Sequence, residues 1–273
     1  MNIRLIVTDL DDTLLREDHT ISQRSLDTIR RAMDRGIAVA IATGRMVPSA
    51  LPYARQLGLK GLLLCCQGAQ VVDIETGREI RLTTVPLALA RDVLRFAREQ
   101  GIYIQYYSAT TYYFEKTGEE SEYYRHAAGI AGVATGGDLL QSMDFEPIKL
   151  LMIAEPARIR AAYEAAKARF GSTLEIAISK SNYLEFTHPD ANKGAAMVSL
   201  AQRMDIPLEQ VMAVGDALND LSMIRQAGLG VAVANATEFV RGQAKAVTAS
   251  NQEDGVALAI ETYALAENGT TEK

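Results

Sequence analysis

The chain has 273 residues, of which 48% are hydrophobic and 6% aromatic, with no Trp, 6 Phe and 11 Tyr. So apolar a composition excludes a disordered chain, and 20 Gly and 7 Pro without a period exclude a fibrous one. With 28 Lys and Arg against 34 Asp and Glu, the formal net charge of −6 is a poor match for nucleic acid or an anionic membrane. An anionic ligand would therefore need local positive charge or a metal ion.

Neither a disulfide scaffold nor a membrane span is expected. Cys65 and Cys66 are adjacent in the apolar run Leu62–Cys66, where neighbours point to opposite faces, and they read as small buried hydrophobes in a reduced compartment. The stretch Ile3–Val7 is interrupted by Arg4 and ends at Asp9, unlike a signal peptide. No apolar run approaches the ~20 residues that cross a bilayer. The expectation is a soluble, cytoplasmic protein.

In chain order, Ile3–Val7 predicts a strand and Ser22–Arg35 a helix stopped by Gly36, with Ile21, Leu26, Ile29 and Met33 at helical spacing. Ile37–Ala42 is nearly all apolar, as a strand buried on both faces must be. Pro48–Leu57 predicts a helix and Leu62–Cys66 a third strand. This alternation predicts an α/β protein with a parallel sheet and helices on both sides. It resumes with a helix over Lys193–Met204, a strand over Val211–Val214, a helix over Leu218–Ala227, a strand over Leu229–Val233 and a helix over Thr237–Gln243. The tail after Leu265 has no apolar period and is expected to fray.

The middle, roughly Thr84–Pro189, reads differently. Helices over Leu87–Gln100 and Ala157–Phe170 are interspersed with Tyr-rich strands, Ile102–Tyr107 and Thr111–Phe114, and with strands Ile148–Ala154, Leu174–Ile178 and Tyr183–Phe186. That pattern predicts an α+β unit inserted into the first.

Four segments carry chemistry. Asp9 and Asp11 in Thr8-Asp9-Leu10-Asp11-Asp12-Thr13 follow a buried strand, where open α/β sheets bind ligands. An EF-hand loop is excluded, because its sixth and twelfth positions counted from Asp9 are Leu14 and Thr20. Thr43-Gly44-Arg45 offers a hydroxyl and backbone N–H groups suited to a phosphate oxygen. In Asn192-Lys193-Gly194 a Lys opens a helix against the macrodipole, a mismatch that hints at function. In Gly215-Asp216-Ala217-Leu218-Asn219-Asp220 the two acids lie four apart, so the second can support the first. All four are expected at strand ends of one sheet.

In this order (acid, Thr, Lys, acid) the chain resembles the haloacid dehalogenase superfamily of phosphohydrolases, whose first motif is Asp-x-Asp-x-Thr. With an insertion between the Thr and Lys motifs it resembles the Cof-type branch. Val231–Ala236 and Thr248–Ala257 are also typical of that branch. Gln67-Gly68-Ala69 stands where the family usually has Asn-Gly-Ala, and Val233-Ala234 where it often has Met-Gly.

The resemblance implies a doubly wound, mostly parallel Rossmann-like core, residues 1–83 and 188–273, with an α+β cap, residues 84–187, that closes over the site and sets specificity. It implies a Mg²⁺-dependent phosphatase of small phosphorylated metabolites, sugar phosphates foremost. The alternatives are phosphatases of cofactor phosphates and a phosphotransferase or phosphomutase. Asp9 would be the nucleophile that forms an aspartyl-phosphate, and Asp11 the general acid and base. Mg²⁺ would be held by Asp9, the Asp11 carbonyl and Asp216, with Asp220 in support. Thr43, Gly44, Asn219 and Lys193 would bind the phosphate, Asn192 would belong with substrate choice, and Arg45 would reach the substrate or cap or pair with a surface acid. A non-enzymatic phospho-receiver needs neither the insertion nor Asp11, and a dinucleotide-binding protein needs a G-x-G-x-x-G that does not follow the first strand. Nine of the 11 Tyr lie in the insertion, leaving Tyr53 and Tyr263 for the core.

Overall fold

The computed structural model describes residues 2–266. In chain order the strands are β1 (Leu5–Thr8), β2 (Ala38–Ile41), β3 (Leu62–Cys65), β4 (Gln70–Asp73), β5 (Glu79–Leu82), β6 (Tyr103–Tyr107), β7 (Tyr112–Phe114), β8 (Val133–Ala134), β9 (Lys149–Ile153), β10 (Glu175–Lys180), β11 (Tyr183–Thr187), β12 (Val211–Gly215), β13 (Leu229–Ala232) and β14 (Ala246–Val247). The helices are α1 (Gln23–Asp34), α2 (Val47–Gln56), α3 (Leu87–Glu99), α4 (Glu119–Ala128), α5 (Leu139–Ser142), α6 (Pro156–Phe170), α7 (Lys193–Arg203), α8 (Leu221–Gln226), α9 (Glu238–Arg241) and α10 (Gly255–Tyr263).

The core sheet has the order β14-β13-β12-β1-β2 and is parallel throughout. Its strands are apolar on both faces because both are covered. Ile6, Met212 and Val214 join a cluster with Ile29 of α1, Ala50 of α2 and Ile260 of α10, whereas Leu5, Val7 and Ala213 face Met197 and Leu200 of α7 and Met223 of α8. This is the doubly wound arrangement expected, with β12 at its centre and β1 between β12 and β2.

The second sheet, the cap, has the order β10-β11-β9-β6-β7-β8 and is antiparallel except between β7 and β8. Successive strand residues point to opposite faces. Ile104, Leu150, Met152, Leu184 and Phe186 therefore pack on Phe96 of α3 and on Ile159 and Phe170 of α6. Tyr107, Lys149, Leu151, Tyr183 and Glu185 belong to the alternate set, which includes Tyr107, Leu151 and Tyr183 packed into the core's own apolar cluster. The chain passes between the two sheets at Leu82–Val85 and again at Thr187–Asn192.

Several expectations are corrected. β3 touches the core sheet through one parallel bridge, Ala42 to Leu64, and otherwise pairs antiparallel with β4, which continues to β5 in a hairpin the sequence reading missed. The helix expected over Leu218–Ala227 divides into a 3₁₀ turn at Leu218–Asp220 and α8. The polar α4 and the C-terminal α10 went unanticipated. The tail expected to fray lies, beyond Ala266, outside the described residues. Among those residues no helix is long and apolar enough to cross a membrane. Cys65 and Cys66 are free and buried, and burial pushes the Cys66 thiol up to about 12.

α8 crosses β13 so closely that a Cβ on Gly230 would stand 2.0 Å from the Ile224 carbonyl oxygen. Gly230→Ala is expected to lower stability by about 1–3 kcal/mol, as overpacking of a dense interior does, measured by urea unfolding.

Candidate active site

The C-terminal ends of β1, β2 and β12 bring three of the four segments together. β1 ends at Thr8, and the Asp9 N–H donates to the Val214 carbonyl of β12, which turns the next residues out of the sheet. The Lys segment arrives by another route. It follows β11 of the cap and opens α7, so the expectation that all four follow strands of one sheet is corrected. Asn192 caps that helix, accepting from the Ala195 N–H and donating to the Pro189 carbonyl. Both ends of its side chain are thus engaged locally rather than turned toward a substrate.

Lys193 is fully buried, and its Nζ lies 2.6 Å from Asp9 Oδ1 and 2.6 Å from Asp220 Oδ1. Burial alone would lower the Lys193 pKa, but the two carboxylates overcome it and raise it above the usual lysine range. The helix-start lysine is therefore held by charge rather than by the helix. Asp220 is saturated, because its second oxygen accepts from the N–H groups of Asp216 and Ala217 at 3.0 Å. That suits it to hold the Asp216 loop and Lys193 rather than to ligate.

Asp9, Asp216 and Asp220 each offer a carboxylate oxygen, all within 4.8 Å of one another. Three carboxylates thus share one ammonium. Burial first, against the pull of Lys193, and then Asp220, Asp216 and Asp11 push the Asp9 carboxyl well above the ordinary range. Burial and Asp220 push Asp216 up to about 7. Excess negative charge on hard oxygen donors could hold a cation, with Asp9 and Asp216 as the available ligands. The Asp216 carboxylate is oriented by the Thr13 hydroxyl at 2.7 Å.

Asp11 stands apart from that cluster. Arg45 Nε and Nη2 donate to its two oxygens at 2.8 and 2.7 Å, and the guanidinium lies 5.1 Å from the Tyr53 ring centroid. Burial works to raise the Asp11 pKa, but the paired guanidinium outweighs it and holds the carboxyl below its usual range. The partner of Arg45 is the site's own acid, not a surface one. Thr43 is buried and its hydroxyl accepts from the Arg45 N–H at 3.1 Å, while the Asn219 amide donates to Gln67 Oε1 at 3.0 Å.

A cavity of about 80 Å³ opens onto Asp9 and Asp11 and is walled from the cap by Tyr124, Lys149, Ser179, Lys180, Tyr183 and Glu185. Sequence reasoning placed none of these at the site. Of the Tyr residues in the two Tyr-rich strands, Tyr106 stacks on Tyr113, and Tyr107 and Tyr112 pack with Tyr124. It also missed a clamp on the Asp9 loop. Asp12 is held in a left-handed conformation, φ 55°. Asn235 Nδ2 donates to its carbonyl at 2.7 Å, Asn251 N–H donates to Asn235 Oδ1 at 3.0 Å, and Asn251 Nδ2 donates to the Leu15 carbonyl at 2.9 Å.

Residues 6–260 match the family model of the haloacid dehalogenase-like hydrolases. The phosphatase YwpJ of Bacillus subtilis is 30% identical over 93% of this chain and 98% of its own. The 5-amino-6-(5-phospho-D-ribitylamino)uracil phosphatase YcsE of the same organism is 30% identical over 97% of each chain. A solved haloacid dehalogenase-like hydrolase from Bacteroides thetaiotaomicron superposes with a TM-score of 0.84 at 28% identity, over 96% of this chain and 99% of that one.

The charge imbalance makes stability depend on pH. The folded-state pKa of Asp216, about 7, lies above the ordinary 3.8, so the folded protein keeps a proton there that the unfolded chain releases. That contribution is present near pH 4 and is lost as pH rises toward about 7. In chelator, the urea midpoint is expected to fall across this window, and a divalent cation is expected to restore it more at the upper end than at the lower.

Proposed function

The chain belongs to the haloacid dehalogenase-like hydrolases and is a phosphatase of small phosphorylated metabolites; we propose that it hydrolyses phosphomonoesters through an aspartyl-phosphate on Asp9, with Mg²⁺ as cofactor. The observation that carries this reading is the buried Asp9 carboxylate, held 2.6 Å from the Lys193 ammonium and beside Asp216.

The donor set fits the ion. Asp9 and Asp216 supply hard oxygens and negative charge that Lys193 alone does not balance, and the Asp11 backbone carbonyl would be the third ligand. When bound, Mg²⁺ supplies positive charge against the phosphoryl oxygens. Lys193 adds the fixed ammonium that lets a carboxylate approach a phosphate dianion. The Asp9 carboxylate attacks phosphorus and the P–O bond to the leaving alkoxide breaks; Asp11 gives that oxygen a proton. Asp11 then takes a proton from the water that splits the aspartyl-phosphate, releasing inorganic phosphate and restoring Asp9. The Arg45 fork keeps Asp11 apart from the cation ligands. Because it also holds the carboxyl ionised, proton donation requires the fork to loosen as substrate enters.

Thr43, the Gly44 N–H and Asn219 are the proposed phosphate donors. The division into a core of 1–83 and 188–273 and a cap of 84–187 fits the two chain crossings, and closure of the cap would exclude water. Acceptors and donors on the cap wall (Glu185, Ser179, Lys180) support a hydroxylated leaving group such as a sugar or polyol. The name of YcsE, a phosphoribitylamino compound's phosphatase, supports the polyol.

Asp9→Asn, with folding checked by circular dichroism, is expected to lose phosphate release by roughly 10⁴-fold or more, the scale on which removal of a nucleophile acts. Chelation should abolish activity and Mg²⁺ restore it. A panel of phosphorylated metabolites assayed for free phosphate tests the substrate class. Isomerised product with little phosphate would instead mark a phosphomutase, and undiminished activity in Asp9→Asn would overturn the nucleophile.

A further inference from the structure

A line of hydrogen bonds runs from the cap to the phosphate-binding amide. Glu185 Oε1 accepts from Lys149 Nζ at 3.3 Å and from the Ser179 hydroxyl at 2.9 Å. Its Oε2 accepts from Gln67 Nε2 at 3.0 Å, and Gln67 Oε1 accepts from Asn219 Nδ2 at 3.0 Å. Glu185 and Gln67 are 4% and 5% exposed.

The seat of Gln67 is built for this purpose. Cys66 and Gln67 have φ of 51° and 60°, left-handed values that residues with a Cβ rarely adopt. They are held there by bonds from the Cys66 N–H to the Arg45 carbonyl and from the Gln67 N–H to the Thr43 carbonyl. A Cβ at position 44 would stand 2.6 Å from Gln67 Nε2, so the glycine of the Thr-Gly-Arg segment leaves room for the amide.

The direction of the line is dictated from the cap. A carboxylate only accepts, so Gln67 must turn its NH₂ toward Glu185 and its oxygen toward Asn219, and Asn219 must answer with its own NH₂. The cost of that orientation is visible, since the Asn219 carbonyl oxygen is buried without a partner among the described residues. We propose that Gln67 is a positioning residue that passes the seating of cap residue Glu185 to Asn219, so that the phosphate-binding amide takes its working orientation only when the cap strand β11 is in place. The inference rests on the phosphatase reading, which makes Asn219 a phosphate ligand.

The test reverses and restores the direction of the line. In Glu185→Gln the new carbonyl oxygen faces Lys149 and Ser179, and its NH₂ meets the Gln67 NH₂. Both core amides must then turn over or lose their bonds. Adding Gln67→Glu supplies an acceptor both to the new amide at position 185 and to Asn219, and returns Asn219 to its original orientation. With a generic aryl phosphate as substrate and inorganic phosphate as competitive inhibitor, Glu185→Gln should weaken phosphate inhibition and kcat/KM by about 5–10-fold, the scale of one hydrogen bond. The double variant should recover to within about threefold of the unmodified protein, although it carries one more substitution. Thermal midpoints measured alongside keep the result decisive, because with a merely structural pair activity would follow the midpoint, whereas the relay restores phosphate inhibition whether or not the midpoint recovers. A double variant no better than Glu185→Gln alone overturns the relay. An unmodified protein that releases no phosphate from the aryl ester overturns the phosphatase reading itself.

Discussion

Three clustered carboxylates, two buried and one half-buried, sharing a single ammonium set the terms for the rest of this protein. Charges of like sign are costly out of water, and the fold accepts that cost at one place. Everything around it serves to hold the charges where repulsion would part them. The parallel pairing of β1 with β12 brings the Asp9 and Asp216 segments side by side, and backbone N–H groups and Lys193 saturate Asp220. The Asn235–Asn251 clamp fixes the loop on its far side. A site so charged is unstable by itself, which is what suits it to the cation and the phosphate proposed for it.

The second acid is managed by opposite means. Asp11 sits two residues from Asp9, yet Arg45 turns its carboxylate away and lowers its pKa, while burial and neighbouring acids raise that of Asp9. Two carboxylates in one loop thus receive different chemistry from their surroundings. The same Arg45 donates to Ser49, whose hydroxyl reaches the Ala128 carbonyl at the end of α4 in the cap. Cap and core therefore meet at the acid as well as at the phosphate side.

Much of this could be read from residue order. The core strands are legible because burial on both faces leaves little but Ile, Val, Leu and Ala, and the site segments because small polar residues interrupt such runs at their ends. Lys193 announced itself as a charge in the wrong place on a helix. What the chain order does not display is which distant residues meet. Arg45 and Asp11 are 34 apart and Gln67 and Asn219 152 apart, and no local pattern couples either pair. The cap residues were missed for a related reason. Lys149 and Glu185 each stand alone in apolar strands, Lys-Leu-Leu-Met-Ile and Tyr-Leu-Glu-Phe-Thr, where a single charge is easily taken for a strand end facing solvent. Both are buried, and strand parity aims both at the core. The β4–β5 hairpin and α4 escaped because their apolar patterns are short and weak.

The position of β1 has a consequence for how the chain comes to its folded state. It precedes the other strands of the described residues and lies between β2 and β12, and its partner β12 begins only at Val211. During synthesis the β12-facing edge of β1 stays unpaired while the whole cap is produced, and Asp9 waits 184 residues for Lys193. The cap can form its own apolar cluster in that interval, so the nascent chain acquires its lid before its catalytic floor. Pairing across so large a separation in sequence is slow, and an open apolar strand edge invites the wrong neighbour. The order in which this protein is made therefore leaves one edge of β1 exposed longest, and chaperone dependence should concentrate there rather than in the cap.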